Sequence, residues 1–508
     1  MKYRLILIQA FMLLFCCLIS MQLKAAGLSG DTIRLTIQLP DAIRRALPSK
    51  TIEVKLYTQF MDCRERVDGR LYKADPDKEG NYRFLLISPS EYCQVSIYPL
   101  LTTYGYKATK LYLLRRGDNL VISVDQNGQF TFSGKGAERM RCLYALHEID
   151  KRGIFQLGDP SWDRRKPDYL ITLQKKTDSI IRLKLRTIRK YTLTPFEKAV
   201  LNADAVAQSE KEIYESLKVA LYDDQKNNEK FQANQVYYKN KYLHQQQVIP
   251  SETILRNSTA ITDALLDKIT NDMLNKKIMN GSLDPKDKSQ LLMQSLFLPM
   301  VKLIQTNYQG YAREKLFTTL FAQSFYASDS TNELLQASTR WVQDSHLKKI
   351  LEDIAKTKLP NQPVYNFSLP DTNGRIVHLA DFRGKVVLLD FWFTGCSNCV
   401  NMTTYMRPVV DRYAKDTNVV FVNISVDKTR KEWLTSLASG KYSHPNSINL
   451  YTQGNGSESP IIRKYNTLGY PRLMLISKKG ELISAEPPAP NNENGIQKLV
   501  NLIDKALQ

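Results

Sequence analysis

The order of hydrophobic and polar positions divides the chain into regions of different periodicity. From Asp31 to about Phe132, short runs such as TIRLTIQL and LVISVD alternate apolar and polar residues, and turn formers such as PDKEGN separate them. Alternation of period two with this punctuation predicts an antiparallel β-sandwich. We therefore expect a β-sandwich domain over residues 26–134.

The middle of the chain, residues 135–358, follows the helical period instead. The segment AITDALLDKITNDMLNKKI places Leu265, Leu266, Ile269 and Met273 on one face, which is typical of an amphipathic helix. No repeat of fixed length is visible, so we expect an all-α domain rather than a solenoid.

The last region alternates strands and helices. After the prolines of KLPNQPVYNFSLPDTNGR, the runs VVLLDFWF, VVFVNISVD, RLMLIS and ELISA indicate strands. Helices are predicted over 400–415, over 430–439, over 459–467 and over the final residues from Gly495. Such alternation predicts an α/β layer fold. The chain is thus expected to be multidomain, with an N-terminal sandwich, a central helical region and an α/β domain over residues 359–508.

Residues 1–25 have the three parts of a secretory signal. Lys2 and Arg4 precede an apolar block, residues 5–21, and a small-residue exit ends near Ala25. We expect export to the periplasm or cell envelope, with cleavage near Ala25. The block is also close to the length of a membrane span, so an uncleaved anchor is the alternative.

The composition and charge of the chain indicate which classes of partner to expect. The 508 residues are 43% hydrophobic and 24% charged, as in ordinary globular proteins. The formal charge of +20 raises a nucleic-acid partner as a hypothesis. However, the basic residues are scattered among acids, with no aromatic-interleaved basic stripe. This pattern is typical of a solvated surface, and we expect no nucleic-acid partner.

Five cysteines follow the signal, namely Cys63, Cys93, Cys142, Cys396 and Cys399. They are too few for a disulfide scaffold, and whether Cys63 and Cys93 are bridged stays open. A zinc site would need a second pair at compatible spacing, so we expect no metal. Outside the cytoplasm, redox exchange is a reason to keep a Cys-x-x-Cys pair. A structural disulfide without turnover is the alternative.

Cys396 is predicted at the first turn of the helix after the strand VVLLDFWF. The residues expected on the buried face of that helix are Met402, Tyr405, Met406, Val409, Val410 and Tyr413. Unpaired N–H groups and the helix dipole stabilise a thiolate at such a position, which makes Cys396 the nucleophile. Cys399, one turn later and more buried, is suited to resolving a mixed disulfide.

Asp390 stands inside the same strand, six residues before Cys396. An ionised carboxylate is expensive to bury, so this group is expected to keep its proton to a higher pH than a free aspartate. A buried acid near the second thiol can accept that thiol's proton during resolution. The alternative is an aspartate that caps a loop.

The arrangement of strand, acid, Phe-Trp and Cys-x-x-Cys before a helix resembles thioredoxin. In TLGYPRLMLIS, Pro471 stands before a strand, as the cis-proline of that family does. The resemblance implies that Pro471 shapes the groove beside Cys396, that the backbone of Tyr470 pairs with an extended substrate, and that Trp392 contributes to substrate binding.

An additional strand and helix between Cys399 and Pro471 is similar to the TlpA-like or ResA-like exported thiol–disulfide oxidoreductases, over residues 363–508. The chain departs from the family pattern at Gly395, where tryptophan is usual, and at Ser397-Asn398, which lacks the common proline. Because the residues between the cysteines tune thiolate stability, the family's redox potential does not carry over.

The resemblance implies an enzyme, a thiol–disulfide oxidoreductase of the protein disulfide reductase type. It implies protein disulfide clients, a membrane electron donor for re-reduction and no cofactor. The alternative is a redox-inactive thioredoxin-fold docking module whose main function lies in the N-terminal domains.

Overall fold

The computed structural model describes residues 32–47, 50–58, 69–100, 111–153, 169–223, 228–243, 248–280, 282, 290–323, 329–465, 467 and 469–508. The predicted signal segment lies outside these residues. Among the described helices, none combines the length and the apolar character that a membrane crossing requires. The chain forms two compact units, residues 1–292 and 293–508. The predicted domain boundaries stay predictions.

The first unit begins with eight strands and one short helix. The strands are β1 (Thr32–Gln38), β2 (Ile52–Tyr57), β3 (Arg70–Ala74), β4 (Asn81–Ile87), β5 (Tyr92–Tyr98), β6 (Tyr112–Arg115), β7 (Asn119–Val124) and β8 (Phe130–Lys135), and helix α1 covers Asp41–Ala46. They form two four-stranded sheets, ordered β4-β1-β7-β8 and β3-β2-β5-β6. The alternating runs thus predicted a β-rich region correctly.

One pairing differs from the antiparallel arrangement expected from sequence. Strands β1 and β7 run parallel, with Arg34 opposite Asn119 and Gln38 opposite Ser123. Alternation reports which face of a strand is buried but not its direction. Direction follows from the chain path between two strands, and β1 and β7 are far apart in sequence.

Both sheets contribute to one hydrophobic cluster. It includes Leu35 and Ile122 from the first sheet, Val54 and Val95 from the second, and Met140 from the helix that follows. This shared cluster explains the alternating sequence, because the apolar positions of each strand face the same interior.

The remaining helices of the first unit are α2 (Ala137–Gly153), α3 (Tyr169–Arg189), α4 (Pro195–Asp223), α5 (Asn228–Lys241), α6 (Glu252–Asn257) and α7 (Ile261–Met279). Arg139 of α2 is buried and forms ion pairs with Asp118 and Glu197, while its Nε donates to the carbonyl oxygen of Leu113 at 2.7 Å. This triad joins the β-rich part to α2 and α4. On α7, Leu265, Leu266 and Ile269 are buried as predicted.

Helices α8 (Gln290–Asn307), α9 (Gly310–Gln323), α10 (Asp329–Trp341) and α11 (Ser345–Lys358) follow. The ring of Phe317 contacts Phe321 and Trp341 at centroid distances of 4.6 and 4.7 Å. The helical middle of the chain is therefore confirmed.

The C-terminal part is built on strands β9 (Ser368–Pro370), β10 (Ile376–His378), β11 (Val386–Trp392), β12 (Val419–Ser425), β13 (Ile448–Tyr451), β14 (Arg472–Ile476) and β15 (Leu482–Ser484). Its helices are α12 (Ser397–Arg412), α13 (Arg430–Ala438), α14 (Pro460–Lys464) and α15 (Glu493–Leu507). Strands β9 and β10 pair separately. The other five form one sheet, ordered β13-β12-β11-β14-β15.

The central strand β11 is buried along its whole length, which is why its sequence is almost continuously apolar. Val387, Leu389 and Phe391 pack on one side of the sheet. Val386 and Leu388 pack on the other, in a cluster to which α12 and α15 contribute. Asp390 belongs by alternation to the side that α12 covers.

The predicted helix over 400–415 begins three residues earlier, at Ser397, because Cys396 itself caps it. Tyr405 was predicted to be buried and is 41% exposed, while Met406, Val409, Val410 and Tyr413 are buried. The prediction was wrong for Tyr405 because the sheet covers a narrower stripe of the helix than the apolar pattern suggested. Strand β13 was not predicted.

Candidate functional site

Cys396 and Cys399 form a disulfide at the start of α12, with their Cα atoms 5.2 Å apart. Cys396 is the N-cap residue of this helix. The cysteines are 6% and 2% exposed, so the second is the more buried, as expected. The edge of the disulfide accessible to a partner therefore belongs to Cys396.

The backbone at the helix start is directed at the first sulfur. The N–H of Cys399 donates to Sγ of Cys396 at 3.1 Å. In the reduced protein, the same N–H and the positive end of the helix dipole would stabilise a thiolate on Cys396. Local geometry thus favours Cys396 as the nucleophile.

Asp390 lies beneath the first turns of α12. It lines a narrow cavity of about 10 Å³ together with Thr403 and Asn423, and Thr403 donates its hydroxyl to the carbonyl oxygen of Cys399 at 3.1 Å. Asn423 stands directly opposite Asp390 in the parallel pairing of β11 and β12. The acid is thus next to the turn that carries the second cysteine.

Burial raises the pKa of Asp390 to about 8. Its Oδ1 atom is buried and has no hydrogen-bond partner among the described protein groups. A carboxyl group in this environment is mostly protonated at neutral pH, and its ionised fraction can accept a proton near the pH at which thiols react.

The loop before β14 completes the site. The peptide bond between Tyr470 and Pro471 is cis, and the carbonyl oxygen of Tyr470 lies 3.8 Å from Sγ of Cys396. The ring of Tyr470 contacts Phe393 edge-on at a centroid distance of 5.6 Å. The structure therefore brings this loop and the cysteine pair together.

Trp392 lies in the interior of the site. It is 1% exposed, and the ring of Tyr442 stacks on it at a centroid distance of 4.8 Å and an angle of 16°. The indole is thus covered by Tyr442, and it packs beside the disulfide. The predicted role of Trp392 in substrate binding stays a prediction.

Two residues that the sequence did not indicate hold the residues just before Cys396. The carboxylate of Asp427 accepts the backbone N–H of Thr394 at 2.7 Å and its hydroxyl at 2.9 Å. The hydroxyl of Tyr442 accepts the backbone N–H of Gly395 at 2.9 Å. Neither residue belongs to a recognisable motif, and no sequence signal would have identified them.

The remaining described cysteines differ in environment. Cys93 and Cys142 are free and buried, and burial raises the pKa of each thiol to about 12. These thiols stay protonated and unreactive at neutral pH. Cys63 lies outside the described residues.

Comparisons with known proteins concern this C-terminal part. A thioredoxin-like family model matches residues 384–482. The thiol-disulfide oxidoreductase ResA of Bacillus thuringiensis subsp. konkukian is 30% identical over 118 residues, which cover 23% of this chain and 64% of that protein. ResA of Bacillus subtilis is 27% identical over 138 residues, covering 27% of this chain and 72% of that protein.

Among solved structures, a thiol:disulfide interchange protein from Bacteroides sp. is 27% identical, and the match covers 28% of this chain and 92% of that chain, with a TM-score of 0.25. The chain spans a little under two thirds of the length of the first ResA protein, 64%. The residues matched by the family model include the cysteine pair, Asp390 and Pro471. The C-terminal region of this chain therefore matches a thioredoxin-like family model over residues 384–482.

Proposed function

We propose that the chain is an exported thiol–disulfide oxidoreductase that exchanges disulfides with protein partners through Cys396 and Cys399. The observation that carries this proposal is the disulfide at the N-cap of α12, where the N–H of Cys399 is directed at Sγ of Cys396. The family match and the names of the ResA relatives support the same activity.

The reaction begins from the dithiol form. The thiolate of Cys396 attacks one sulfur of a partner's disulfide, forms a mixed disulfide with it and releases the other partner sulfur as a thiolate. Tyr470 and Pro471 lie beside the attacking sulfur, where the backbone of Tyr470 can orient an extended partner segment.

Resolution then requires the second thiol. The ionised fraction of Asp390 accepts the proton of Cys399, and the resulting thiolate attacks Sγ of Cys396. The bond between Cys396 and Cys399 forms, and the bond to the partner breaks. The partner leaves as two thiolates that take up two protons from solvent, and it has gained two electrons, while Asp390 releases the proton of Cys399 to solvent. Reversal of these steps by a reducing dithiol, which we assign to a membrane electron donor, restores the starting state.

The N-terminal residues support the location. Lys2, Arg4 and the apolar block of residues 5–21 have the order of a secretory signal. We interpret the two sheets with a shared core as a β-sandwich.

Reduction of insulin disulfides by the purified mature protein tests the activity. Wild type should accelerate insulin reduction by a dithiol, and Cys396→Ser should reduce this rate to the uncatalysed rate. The matched control is Cys142→Ser, which removes a buried thiol of the first unit and should turn over normally. Turnover that is absent in wild type, or unchanged in Cys396→Ser, would favour the docking-module alternative.

A further inference from the structure

Tyr442, which lies outside the Cys-x-x-Cys motif, anchors the residue directly before Cys396. The hydroxyl of Tyr442 accepts the N–H of Gly395 at 2.9 Å, and its ring stacks on Trp392 at 4.8 Å. Tyr442 belongs to the same apolar cluster as both cysteines and is half-buried there. It thus joins the end of β11 to the residue preceding the reactive sulfur.

Gly395 depends on such a contact for its position. Its φ of +90° lies in the left-handed region, which glycine adopts without strain. A side-chain carbon at this residue would have no neighbour within 4 Å, so packing does not hold it. Glycine is also the residue with the most conformational freedom to lose. A hydrogen bond to its N–H is therefore an effective way to fix the turn.

The position of this turn decides the environment of Cys396. The N–H of Cys396 donates to the carbonyl oxygen of Phe393 at 3.2 Å, which closes the turn. On its other side, Sγ accepts the N–H of Cys399. The N–H of Gly395 belongs to the peptide between Thr394 and Gly395. A rotation of this peptide would change the φ of Gly395 and so move Cys396 and its Sγ away from the helix N-terminus.

We propose that Tyr442 is a positioning residue for Cys396, holding the Gly395 turn so that the reduced sulfur stays aligned with the N–H groups of α12. This role rests on the proposed function, since it concerns the reactivity of the same cysteine. Tyr442 does not touch the sulfur's reaction partner. It acts by keeping the thiolate in the orientation in which the helix start stabilises it.

Loss of the hydroxyl alone should weaken that stabilisation. A net hydrogen bond contributes about 0.5–1.5 kcal/mol, which corresponds to a rise of roughly 0.4–1 unit in the pKa of Cys396. Tyr442→Phe keeps the ring on Trp392 and removes only the bond to Gly395. Alkylation of Cys396 should therefore become about 3- to 10-fold slower below the midpoint of its pH profile and stay unchanged at the alkaline plateau.

The experiment uses the full mature protein with Cys399→Ser, so that Cys396 is a free thiol. Its reaction with iodoacetamide is followed against pH by mass spectrometry of the peptide that contains Cys396. The matched control is Tyr451→Phe. Tyr451 stacks on Trp433 in the same cluster, at 5.0 Å and 12°, and none of its contacts in the structure reaches Gly395.

A higher midpoint in Tyr442→Phe, with the control unmoved, supports the proposal. Three results would overturn it: an unmoved midpoint, an equal shift in Tyr451→Phe, or a rate that falls equally at every pH. Alkylation needs no client protein. If wild type fails to reduce insulin while Tyr442→Phe still raises the alkylation midpoint of Cys396, the proposed function is rejected and this inference is kept.

Discussion

Replacing Asp390 by Asn removes a buried carboxyl group whose pKa is strongly raised by its burial. The carboxyl group is 7% exposed, and burial raises its pKa from the ordinary 3.8 to about 8. Asparagine has nearly the same shape and does not titrate. The substitution therefore isolates the free energy associated with the proton.

The sign of the effect follows from proton linkage. Between pH 4 and 8 the folded protein keeps the Asp390 proton while the unfolded chain releases it, so stability falls as pH rises through this window and is constant above it. At 1.36 kcal/mol per unit, the loss is on the order of 4 kcal/mol between pH 5 and pH 8. Asp390→Asn lacks this loss. Its stability relative to wild type should thus increase by about the same amount over those three units.

Denaturant unfolding of the oxidised full chain at pH 5 and at pH 8, monitored by tryptophan fluorescence, measures this difference. Trp392 and Trp433 lie beside the disulfide and report on this part of the chain. Glu493→Gln, at an exposed acid in the first turn of α15, is the control and should show no pH-dependent gain. If the stability of Asp390→Asn relative to wild type is the same at both pH values, the claim that Asp390 holds its proton in the folded state is refuted.

The same variant should slow resolution, because Cys399 then lacks its proton acceptor. Mixed disulfides with a model client should persist roughly 10²-fold longer or more at pH 7, the lower range for general base catalysis. Mixed-disulfide lifetime in quenched-flow samples measures this step. Normal lifetimes combined with a large loss of stability would assign Asp390 to structure alone.

Three further predictions concern other parts of the molecule. Gly395→Ala should lower the unfolding free energy of the C-terminal part by about 1–2 kcal/mol, because alanine is strained at a φ of +90°. Space for the added carbon is open, so the backbone strain is the cause. A denaturant titration measures this loss. Arg139→Met should destabilise the first unit by about 3–5 kcal/mol, since it leaves two buried carboxylates unpaired, whereas the exposed Arg141→Met should change the unfolding midpoint little. Cys399→Ser should accumulate mixed disulfides with clients in an exported fraction, visible on non-reducing gels and missing when Cys396 is also replaced.

The C-terminal fold was predictable because its signals are local. Strand β11 is covered on both sides, so its residues form one apolar run, and Asp390 is conspicuous within that run. The helix that follows begins at the cysteine pair, and its apolar period places Met406 and Val409 in the core. Each of these features lies within a segment that the sequence presents continuously.

The errors arose where structure depends on what covers a segment. The parallel pairing of β1 with β7 joins strands that are distant in sequence. Tyr405 follows the apolar period of α12, yet 41% of it is exposed.

The same limit applies to the chemistry of the site. The motif supplies both sulfurs and the acid. The residue before Cys396 is Gly395, which has no side chain that could anchor it. Its anchors come from Asp427 and Tyr442, beyond β12, which reach back to the N–H groups of Thr394 and Gly395. A hydrogen bond to a backbone N–H can come from any residue with an acceptor, so it leaves no pattern in sequence. The reactive turn is therefore specified by its neighbours in space, and Cys-x-x-Cys sequences of equal spacing can differ in thiolate stability for this reason.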